Sequence, residues 1–157
     1  FFTVYGPWGR PDMALFKFTK SILKNEPINV FNKGQMIRDF TFVDDVVESI
    51  IRILNKPATP EKTFNTNDPN PSNSWAPHRV FNIGNSKPTP LIEYIQAIED
   101  ELGIKAKKSL LPMQLGDVAA TASDSSQLQE WIEFKPNTTV KEGIKQFIKW
   151  YKEFYGI

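Results

Sequence analysis

The chain has 157 residues and a formal net charge of +1, and 40% of its residues are hydrophobic, enough for one domain with a core. The near-neutral charge argues against nucleic-acid binding. The lack of cysteine excludes disulfides, thiolate catalysis and cysteine metal sites, and a single histidine, His78, argues against a histidine metal centre or catalytic triad. These counts lead us to expect no bound metal. No apolar run approaches the ~20 residues that span a membrane, so we expect no membrane partner.

The first element is a strand at residues 1–4, rich in aromatic and β-branched residues. Because strands need neighbours, a strand with no lead-in predicts a cut through a larger fold, and we expect the chain to be a fragment. A loop punctuated by glycine and proline follows at residues 5–11. Asp12 is placed to cap the next helix, whose apolar residues recur at helical spacing to about Asn25, before Pro27.

The next segment predicts a β-hairpin, because a polar turn with one glycine at residues 32–35 separates two strand-like stretches. If Phe31 pairs with Met36, then Asn29 pairs with Arg38, and strand alternation places all four side chains on one face. Such a face suits a flat base with a phosphate beside it. The alternative is a half-buried hairpin whose arginine reaches solvent, and the chemistry of these residues alone favours that alternative.

The rest of the chain, from Asp44 onward, predicts four helices and two strands. Asp44 and Asp45 begin a helix with a broad apolar face, and a helix N-terminus explains this acidic pair better than acid–base catalysis does. A polar loop at 58–77, a strand at 79–83 and an amphipathic helix at 91–102 ended by Gly103 follow. Next come a strand at 106–111, an irregular segment at 112–117 and a short helix to Trp131, capped by Asp124 or Ser125. The last helix begins at Thr138 or Thr139, and its inward residues are Val140, Ile144, Phe147, Ile148 and Tyr151.

The residues predict no catalytic group. Tyr5 and the other tyrosines lack a lysine four residues later that would lower the tyrosine pKa, and no glycine-rich loop is present to hold a dinucleotide pyrophosphate. Arg10 and Arg38 are the candidate anion-binding cations, because each lies beside turn residues and aromatics rather than on an exposed helix face. The residues alone therefore predict a lobe that binds an anionic small molecule.

Several blocks of the sequence resemble the UDP-glucuronate 4-epimerases of the extended short-chain dehydrogenase/reductase superfamily. These blocks are FFTVYGPWGRPDMALFKFT, INVFNKGQMIRDFTFVDDV, RVFNIGNSKP, LLPMQLGDVAATASD and FKPNTTVKEGIKQFIKWYKEFY. They occur in the family's order and cover essentially the whole chain.

The resemblance implies an α/β fold in which residues 1–157 form the C-terminal nucleotide-sugar-binding lobe, a small mixed sheet with helices. Most of the N-terminal Rossmann domain, with its glycine-rich loop, catalytic Ser/Thr and Tyr-x-x-x-Lys pair, would be missing. NAD would be the cofactor, bound mainly by that missing domain, and a UDP-sugar the substrate. The family oxidises C4 of the sugar with NAD, rotates the 4-keto sugar and returns the hydride to its other face. We expect the intact protein to be a cytoplasmic homodimer that supplies polysaccharide precursors.

The resemblance also assigns residues to the sugar and to the cofactor. Thr3 would hold the uronate carboxylate through its hydroxyl, and Arg10 matches an arginine near the sugar. Phe1 and Val4 would lie where the family's strand passes the nicotinamide.

The nucleotide is assigned to the helix start and the predicted hairpin. Asp12 and Met13 would touch the diphosphate and nucleoside. Asn29 and Phe31 would form the uracil platform, and Arg38 would bind the diphosphate. This assignment agrees with the shared hairpin face, and with it the ligand-binding interpretation of that face is favoured.

A late polar pair completes the predicted site. Gln114 and Asp117 match positions that reach the UDP ribose, and glutamine favours the uronate branch because arginine is common there in galactose-type epimerases. Leu115 and Ala119 replace prolines common in the family, a departure that would loosen this loop.

Three functions remain open. The first is the substrate-binding part of an NAD-dependent UDP-glucuronate 4-epimerase. The second is a part of another extended reductase, such as a UDP-sugar decarboxylase or dehydratase. The third is a non-catalytic UDP-sugar-binding module, which the absent nucleotide loop and Tyr/Lys pair favour for this chain alone.

Overall fold

The computed structural model describes the whole chain, residues 1–157. The helices are α1 Ala14–Leu23, α2 Val43–Asn55, α3 Leu91–Leu102, α4 Ser126–Ile132 and α5 Val140–Tyr155. The strands are β1 Val4–Tyr5, β2 Ile28–Val30, β3 Ile37–Arg38, β4 Thr41–Phe42, β5 Thr89–Pro90 and β6 Lys108–Leu110. This is the predicted α/β class, with its strands in small two-stranded sheets. None of the helices has both the length and the apolar character needed to cross a membrane.

The helices lie close to their predicted bounds. α3 ends at Gly103, which adopts the left-handed φ of 69° that glycine tolerates, and α5 begins after Thr139. Thr139 forms a capping box with Glu142, because each side chain accepts a hydrogen bond from the other residue's backbone N–H. The prediction that Asp12 caps α1 is wrong: Met13 occupies the N-cap position, and the Asp12 carboxylate accepts from Arg10 instead.

The strands pair in twos rather than in one sheet. β1 runs parallel to β4, and β2 runs parallel to β6 with Asn29 opposite Ser109. β3 runs antiparallel to β5 with Arg38 opposite Thr89. The two parallel pairs join segments that are distant in sequence, so neither pairing has a local turn signal.

The predicted hairpin is therefore wrong. The turn is present, with Asn32 and Lys33 both in the left-handed region (φ 49° and 50°), but the strands on either side of it do not pair. The backbone before the turn is engaged elsewhere, since the Ile28 N–H donates to the Lys107 carbonyl and the Lys33 N–H donates to the Leu111 carbonyl. A segment about eighty residues later thus occupies the edge that the second hairpin strand would need.

The predicted strand at residues 79–83 is also wrong. Its contacts are isolated, with a bridge between Asn73 and Arg79 and a hydrogen bond from the Phe2 N–H to the Ile83 carbonyl at 3.2 Å. A strand needs a neighbour that pairs over successive residues, and no segment lies alongside 79–83 over that length. The first strand likewise covers Val4–Tyr5 rather than residues 1–4.

The core lies between α3 and α5. Ile144, Phe147, Ile148 and Tyr151 of α5 are buried, as predicted from their spacing. Tyr94 of α3 is buried among them and stacks on Phe40, with ring centroids 3.9 Å apart. The core therefore fixes α3 and α5 against the segment that carries β3 and β4.

One face of α2 stays uncovered. Val47, Ile50, Ile51 and Leu54 are 38–74% exposed and follow the i, i+3, i+4, i+7 spacing of a packing face. We call these four residues the α2 stripe. An apolar stripe of this length on a helix surface is typical of a contact with another domain or chain.

A buried carboxylate joins α3 to β6. The Glu99 side chain is 1% exposed and accepts from the Ala106 N–H at 2.9 Å, from Lys105 Nζ at 3.1 Å and from Lys108 Nζ. Burial opposes ionisation of this carboxyl, but the hydrogen bonds from Lys108, Ala106 and Lys105 hold its pKa below its usual range. Lys108 begins β6, so Glu99 anchors the strand that pairs with β2.

We expect Glu99→Gln to lower the free energy of unfolding at pH 7 by about 1–3 kcal/mol, because the amide loses the charge-assisted bonds. A carboxyl with a depressed folded-state pKa stabilises the protein above its unfolded-state pKa of about 4.3, and this stability is lost as pH falls through the folded-state value. Urea unfolding at pH 7 and pH 3 should thus give a difference from the wild type that shrinks in acid. Asp100→Asn, a change at a 55% exposed neighbour, is the control. A difference of equal size at both pH values contradicts the expectation.

Candidate functional site

The largest of the cavities near the predicted binding residues lies between α1 and β2. Its volume is about 470 Å³, and we call it the α1–β2 cavity. Four residues assigned to the nucleotide line it, namely Asp12, Asn29, Phe31 and Gln114. The structure thus gathers residues from three separate parts of the sequence into one space.

Strand pairing explains why these residues meet. In β2, Ile28 and Val30 point into the core, so the intervening Asn29 faces outward. The Leu111 N–H donates to the Val30 carbonyl at 2.9 Å and carries the ladder beyond β6. The chain that follows β6 therefore brings Gln114 beside the outward face of β2.

A second, smaller cavity of about 50 Å³ lies on the other side of the start of α1, and we call it the Thr3 cavity. Thr3, Val4, Arg10 and Met13 line it, all of them predicted site residues. Both cavities are lined by Ala14, so they adjoin at the first turn of α1. The two residues assigned to the sugar, Thr3 and Arg10, thus share a cavity with Met13, which is assigned to the nucleoside, at the first turn of α1.

Phe1 lines neither cavity. Its side chain is 74% exposed at the N-terminus. The prediction that it passes the nicotinamide stays a prediction.

Arg38 and Asp117 are paired with each other. An Arg38 guanidinium nitrogen lies 2.8 Å from an Asp117 carboxylate oxygen, and the guanidinium also donates to the carbonyls of Ile37 and Ala119. The pair lies outside both cavities but stays close to the α1–β2 cavity, because the Asp117 N–H donates to the Gln114 carbonyl. Two residues that were each predicted to contact the ligand thus contact each other.

The predicted shared face of Asn29, Phe31, Met36 and Arg38 is wrong. Met36 is 5% exposed in the core, and its carbonyl accepts from the Leu91 N–H. Without a hairpin, strand alternation does not relate the first two residues to the last two. Asn29 and Phe31 still line one cavity, and the pairing of β2 with β6, rather than a hairpin, accounts for it.

Arg10 and Asp12 form a second ion pair. Two guanidinium nitrogens of Arg10 donate to the two carboxylate oxygens of Asp12, at 3.0 and 2.6 Å. These hydrogen bonds hold the pKa of the Asp12 carboxyl below its usual value. Both side chains are well exposed, so water competes for each partner and the pair is easily exchanged for a ligand.

The remaining candidates have structural or surface positions. Tyr5 is buried, with its ring against Phe40, Phe42 and Tyr94, and burial together with the nearby charges of Asp45 and Glu142 raises the pKa of its hydroxyl. His78 is exposed in the loop before residue 79. No three acidic or histidine side chains converge as metal ligands.

The acidic pair at the start of α2 has the helix-terminal position predicted for it. Asp45 is buried, and its carboxylate accepts from the N–H groups of Asn137 and Thr138, at 3.2 and 2.9 Å. It therefore ties the start of α2 to the loop before α5.

Two residues of the α1–β2 cavity were not predicted from the sequence. Lys17 and Ser21 line it from α1 together with Ala14 and Phe18. Their i, i+3, i+4, i+7 spacing is the signal that identifies one helix face, and it becomes informative only once Asp12 is placed at the end of that face.

The chain matches a family model and longer relatives. The model of the NAD dependent epimerase/dehydratase family matches residues 1–84. Protein CapI of Staphylococcus aureus is 52% identical over 155 residues, which are 99% of this chain and 46% of CapI. The probable UDP-glucuronate 4-epimerase of Rhizobium meliloti is 43% identical over 161 residues, 99% of this chain and 46% of that protein. The chain spans about half the length of the curated relatives it matches.

A solved structure shows the same fold. UDP-glucuronic acid 4-epimerase from Bacillus cereus, in complex with UDP-glucuronic acid and NAD, is similar with a TM-score of 0.79 and 27% identity, over 98% of this chain and 44% of that chain. The resemblance predicted from the sequence blocks is thereby confirmed. The chain belongs to the NAD dependent epimerase/dehydratase family, and its fold is that of the C-terminal part of an extended short-chain dehydrogenase/reductase.

Proposed function

We propose that residues 1–157 are the nucleotide-sugar-binding lobe of an NAD-dependent UDP-glucuronate 4-epimerase, which interconverts UDP-glucuronate and UDP-galacturonate and so supplies polysaccharide precursors. The observation that carries the proposal is the α1–β2 cavity, where Asn29, Phe31 and Gln114 line one space. Its volume of about 470 Å³ suits a small-molecule ligand. The B. cereus structure, which holds UDP-glucuronic acid, supports this substrate class.

The nucleotide end is recognised by stacking, hydrogen bonds and charge. Phe31 offers a ring for the uracil, and the Asn29 amide offers both a donor and an acceptor for the base edge. Gln114 and Asp117 contact the ribose. Arg38 binds the diphosphate, for which it exchanges the Asp117 carboxylate that it holds at 2.8 Å.

The sugar end lies at the Thr3 cavity. The Thr3 hydroxyl donates to the uronate carboxylate, and Arg10 adds a positive charge beside it. Met13 contacts the nucleoside, and Asp12 contacts the diphosphate from the shared start of α1. The volume of about 50 Å³ admits only part of a sugar, so the rest of the sugar needs walls from outside this chain.

NAD does not fit within this chain alone. The sequence has no glycine-rich loop, Phe1 is exposed, and the cavity beside Val4 has a volume of about 50 Å³. We therefore assign NAD mainly to a Rossmann domain outside these residues, with Phe1 and Val4 at its edge, and derive no reaction step through it.

That domain would also cover the α2 stripe. Matched relatives are about twice as long as this chain, and the stripe has the spacing and apolar character of a surface that packs against another domain. The proposed homodimer of the intact protein would form through the same domain.

A second candidate function is a non-catalytic UDP-sugar-binding module. One observation favours it for the isolated chain, namely that the buried Tyr5 is engaged in the core and no tyrosine has a lysine four residues later. The two functions share the binding residues and differ in turnover.

The first prediction concerns Arg38. In the intact longer protein, Arg38→Ala should weaken UDP binding by roughly 1.5–3 kcal/mol, about 10- to 150-fold, because a charge-assisted contact to the diphosphate is lost. Isothermal titration with UDP measures the dissociation constant. Arg52→Ala, which breaks an ion pair with Glu48 on α2, is the matched control and should leave UDP binding unchanged. An unaltered dissociation constant in Arg38→Ala would refute the assignment.

The second prediction concerns Phe31. Phe31→Ala should weaken binding of UMP by about 1–3 kcal/mol, the range for stacking of a base on an aromatic ring. Inorganic pyrophosphate, which has no base, should bind equally well to the variant and the wild type. Phe31→Tyr keeps the ring and serves as the control. A loss that is the same for UMP and pyrophosphate would show that Phe31 acts through structure rather than through the base.

The third prediction separates the two candidate functions. The purified 157-residue chain, given NAD and UDP-glucuronate, should form no UDP-galacturonate, whereas the intact longer protein should form it. Chromatography of the nucleotide sugars measures the product. Product from the short chain would contradict the proposal that this chain binds the nucleotide sugar while another domain binds NAD. Release of a decarboxylated or dehydrated sugar by the intact protein would favour another extended reductase.

A further inference from the structure

A second buried carboxylate lies directly beside Arg38. Asp39 is fully buried, and none of the ion pairs of the structure includes it. Its carboxylate accepts from the N–H groups of Ser86 and Ser123, each at 3.0 Å, from the Lys87 N–H at 3.3 Å, and from the Ser123 hydroxyl. A buried anion without a cation is held only where such donors converge on it.

These donors come from two separate loops. Ser86 and Lys87 precede β5, whereas Ser123 precedes α4. Ser86 adopts a left-handed φ of 54°, a strained conformation for a serine, and both its N–H and its hydroxyl are engaged in this cluster. Asp39 thus joins three segments of the chain at one point.

The close approach also explains a glycine. A Cβ at Gly84 would lie 2.1 Å from the Ser123 hydroxyl oxygen and 3.1 Å from an Asp39 carboxylate oxygen. The position therefore has no room for a side chain while Ser123 and Asp39 are in contact. Packing around the carboxylate is as tight as its hydrogen bonding.

The segment that Asp39 holds is the one that surrounds Arg38. The Ile37 N–H donates to the Ala119 carbonyl at 2.9 Å, and the Thr121 N–H returns to the Ile37 carbonyl at 3.1 Å. The Arg38 guanidinium contacts Asp117 and the Ala119 carbonyl in the same segment. Residues 117–123 are therefore fixed at one end by Arg38 and at the other by Asp39.

We propose that Asp39 is a positioning residue for Arg38, which keeps the guanidinium in place for a nucleoside diphosphate by pinning residues 117–123 and the loop before β5 to β3. The inference rests on the proposed function, in which Arg38 is the diphosphate ligand. Asp39 itself is fully buried, so its role would be to hold other groups in place rather than to contact the nucleotide. Asp39 fixes the direction in which the Arg38 side chain leaves β3. It also fixes the position of the Ala119 carbonyl, to which the Arg38 guanidinium donates.

The test uses a double-mutant cycle in the intact longer protein. Asp39→Asn places amide hydrogens against the backbone N–H groups, so the pin loosens while the side-chain size is kept. Isothermal titration should show that UDP binds about tenfold more weakly to Asp39→Asn, whereas adding Asp39→Asn to Arg38→Ala should change the dissociation constant by less than about twofold. Hydrogen exchange of residues 117–123 should be faster in Asp39→Asn without any ligand.

Two further variants keep the test decisive. Ser123→Ala removes one donor and leaves its backbone N–H, so it should fold and show the same changes in smaller degree even if Asp39→Asn does not fold. Asp45→Asn alters another buried carboxylate that accepts backbone N–H groups, and it should lower the melting temperature without changing UDP binding.

The outcomes distinguish a failure of the proposed function from a failure of the positioning role of Asp39. If Arg38→Ala leaves UDP binding unchanged, the proposed function fails, while faster exchange at 117–123 in Asp39→Asn still supports the pinning. If Arg38→Ala weakens binding but folded Asp39→Asn and Ser123→Ala bind UDP like the wild type, the positioning role is overturned. It is also overturned if the Asp39→Asn effect persists undiminished in the Arg38→Ala background.

Discussion

The parallel pairing of β2 with β6 is the constraint on which the candidate site depends. It places Ser109 opposite Asn29 and carries the following chain along the outward side of β2, so that Gln114 reaches a space already lined by Phe31. No turn enforces this pairing, and the ladder is short. Its stability comes from the burial of Ile28 and Val30 and from Glu99, whose carboxylate holds Lys108 at the start of β6.

Two buried carboxylates act in the same way on the two sides of this site. Glu99 and Asp39 each accept a backbone N–H from a segment next to a predicted binding residue, with Ala106 preceding Gln114 and Ser123 following Asp117. Glu99 also has two lysines as partners, whereas Asp39 has hydrogen-bond donors alone. A carboxylate suits this task because its two oxygens accept several bonds at once, and because burial makes each missing bond costly. Segments without regular secondary structure, such as 111–125, can be held in one conformation by such contacts.

The two arginines of the candidate site are neutralised by neighbouring carboxylates. Arg10 is held by Asp12, and Arg38 by Asp117. In the first pair both side chains are exposed, so replacing the carboxylate with a ligand costs little. In the second pair the arginine side chain is 16% exposed, so an incoming anion has to offer a better partner than the Asp117 carboxylate. This competition favours a diphosphate, with more charge and more acceptor oxygens, over a single carboxylate.

The sequence by itself determined the helices and the family, and it named the candidate residues of the site. Helical spacing located the buried face of α5 and the end of α3 at Gly103, because these features depend on neighbours within a few residues. The motif blocks between Thr3 and Asp117 identified the right family, because they consist of residue types that can be compared without knowing how the chain folds. The tertiary structure decided how the strands pair: the turn at residues 32–35 predicted a hairpin, yet β2 pairs with β6, since backbone N–H and C=O groups bind whichever segment the core brings to them. It also decided that Asn29 and Phe31 meet Gln114 rather than Met36, and that Asp39, which no sequence pattern distinguishes, lies buried where three segments converge.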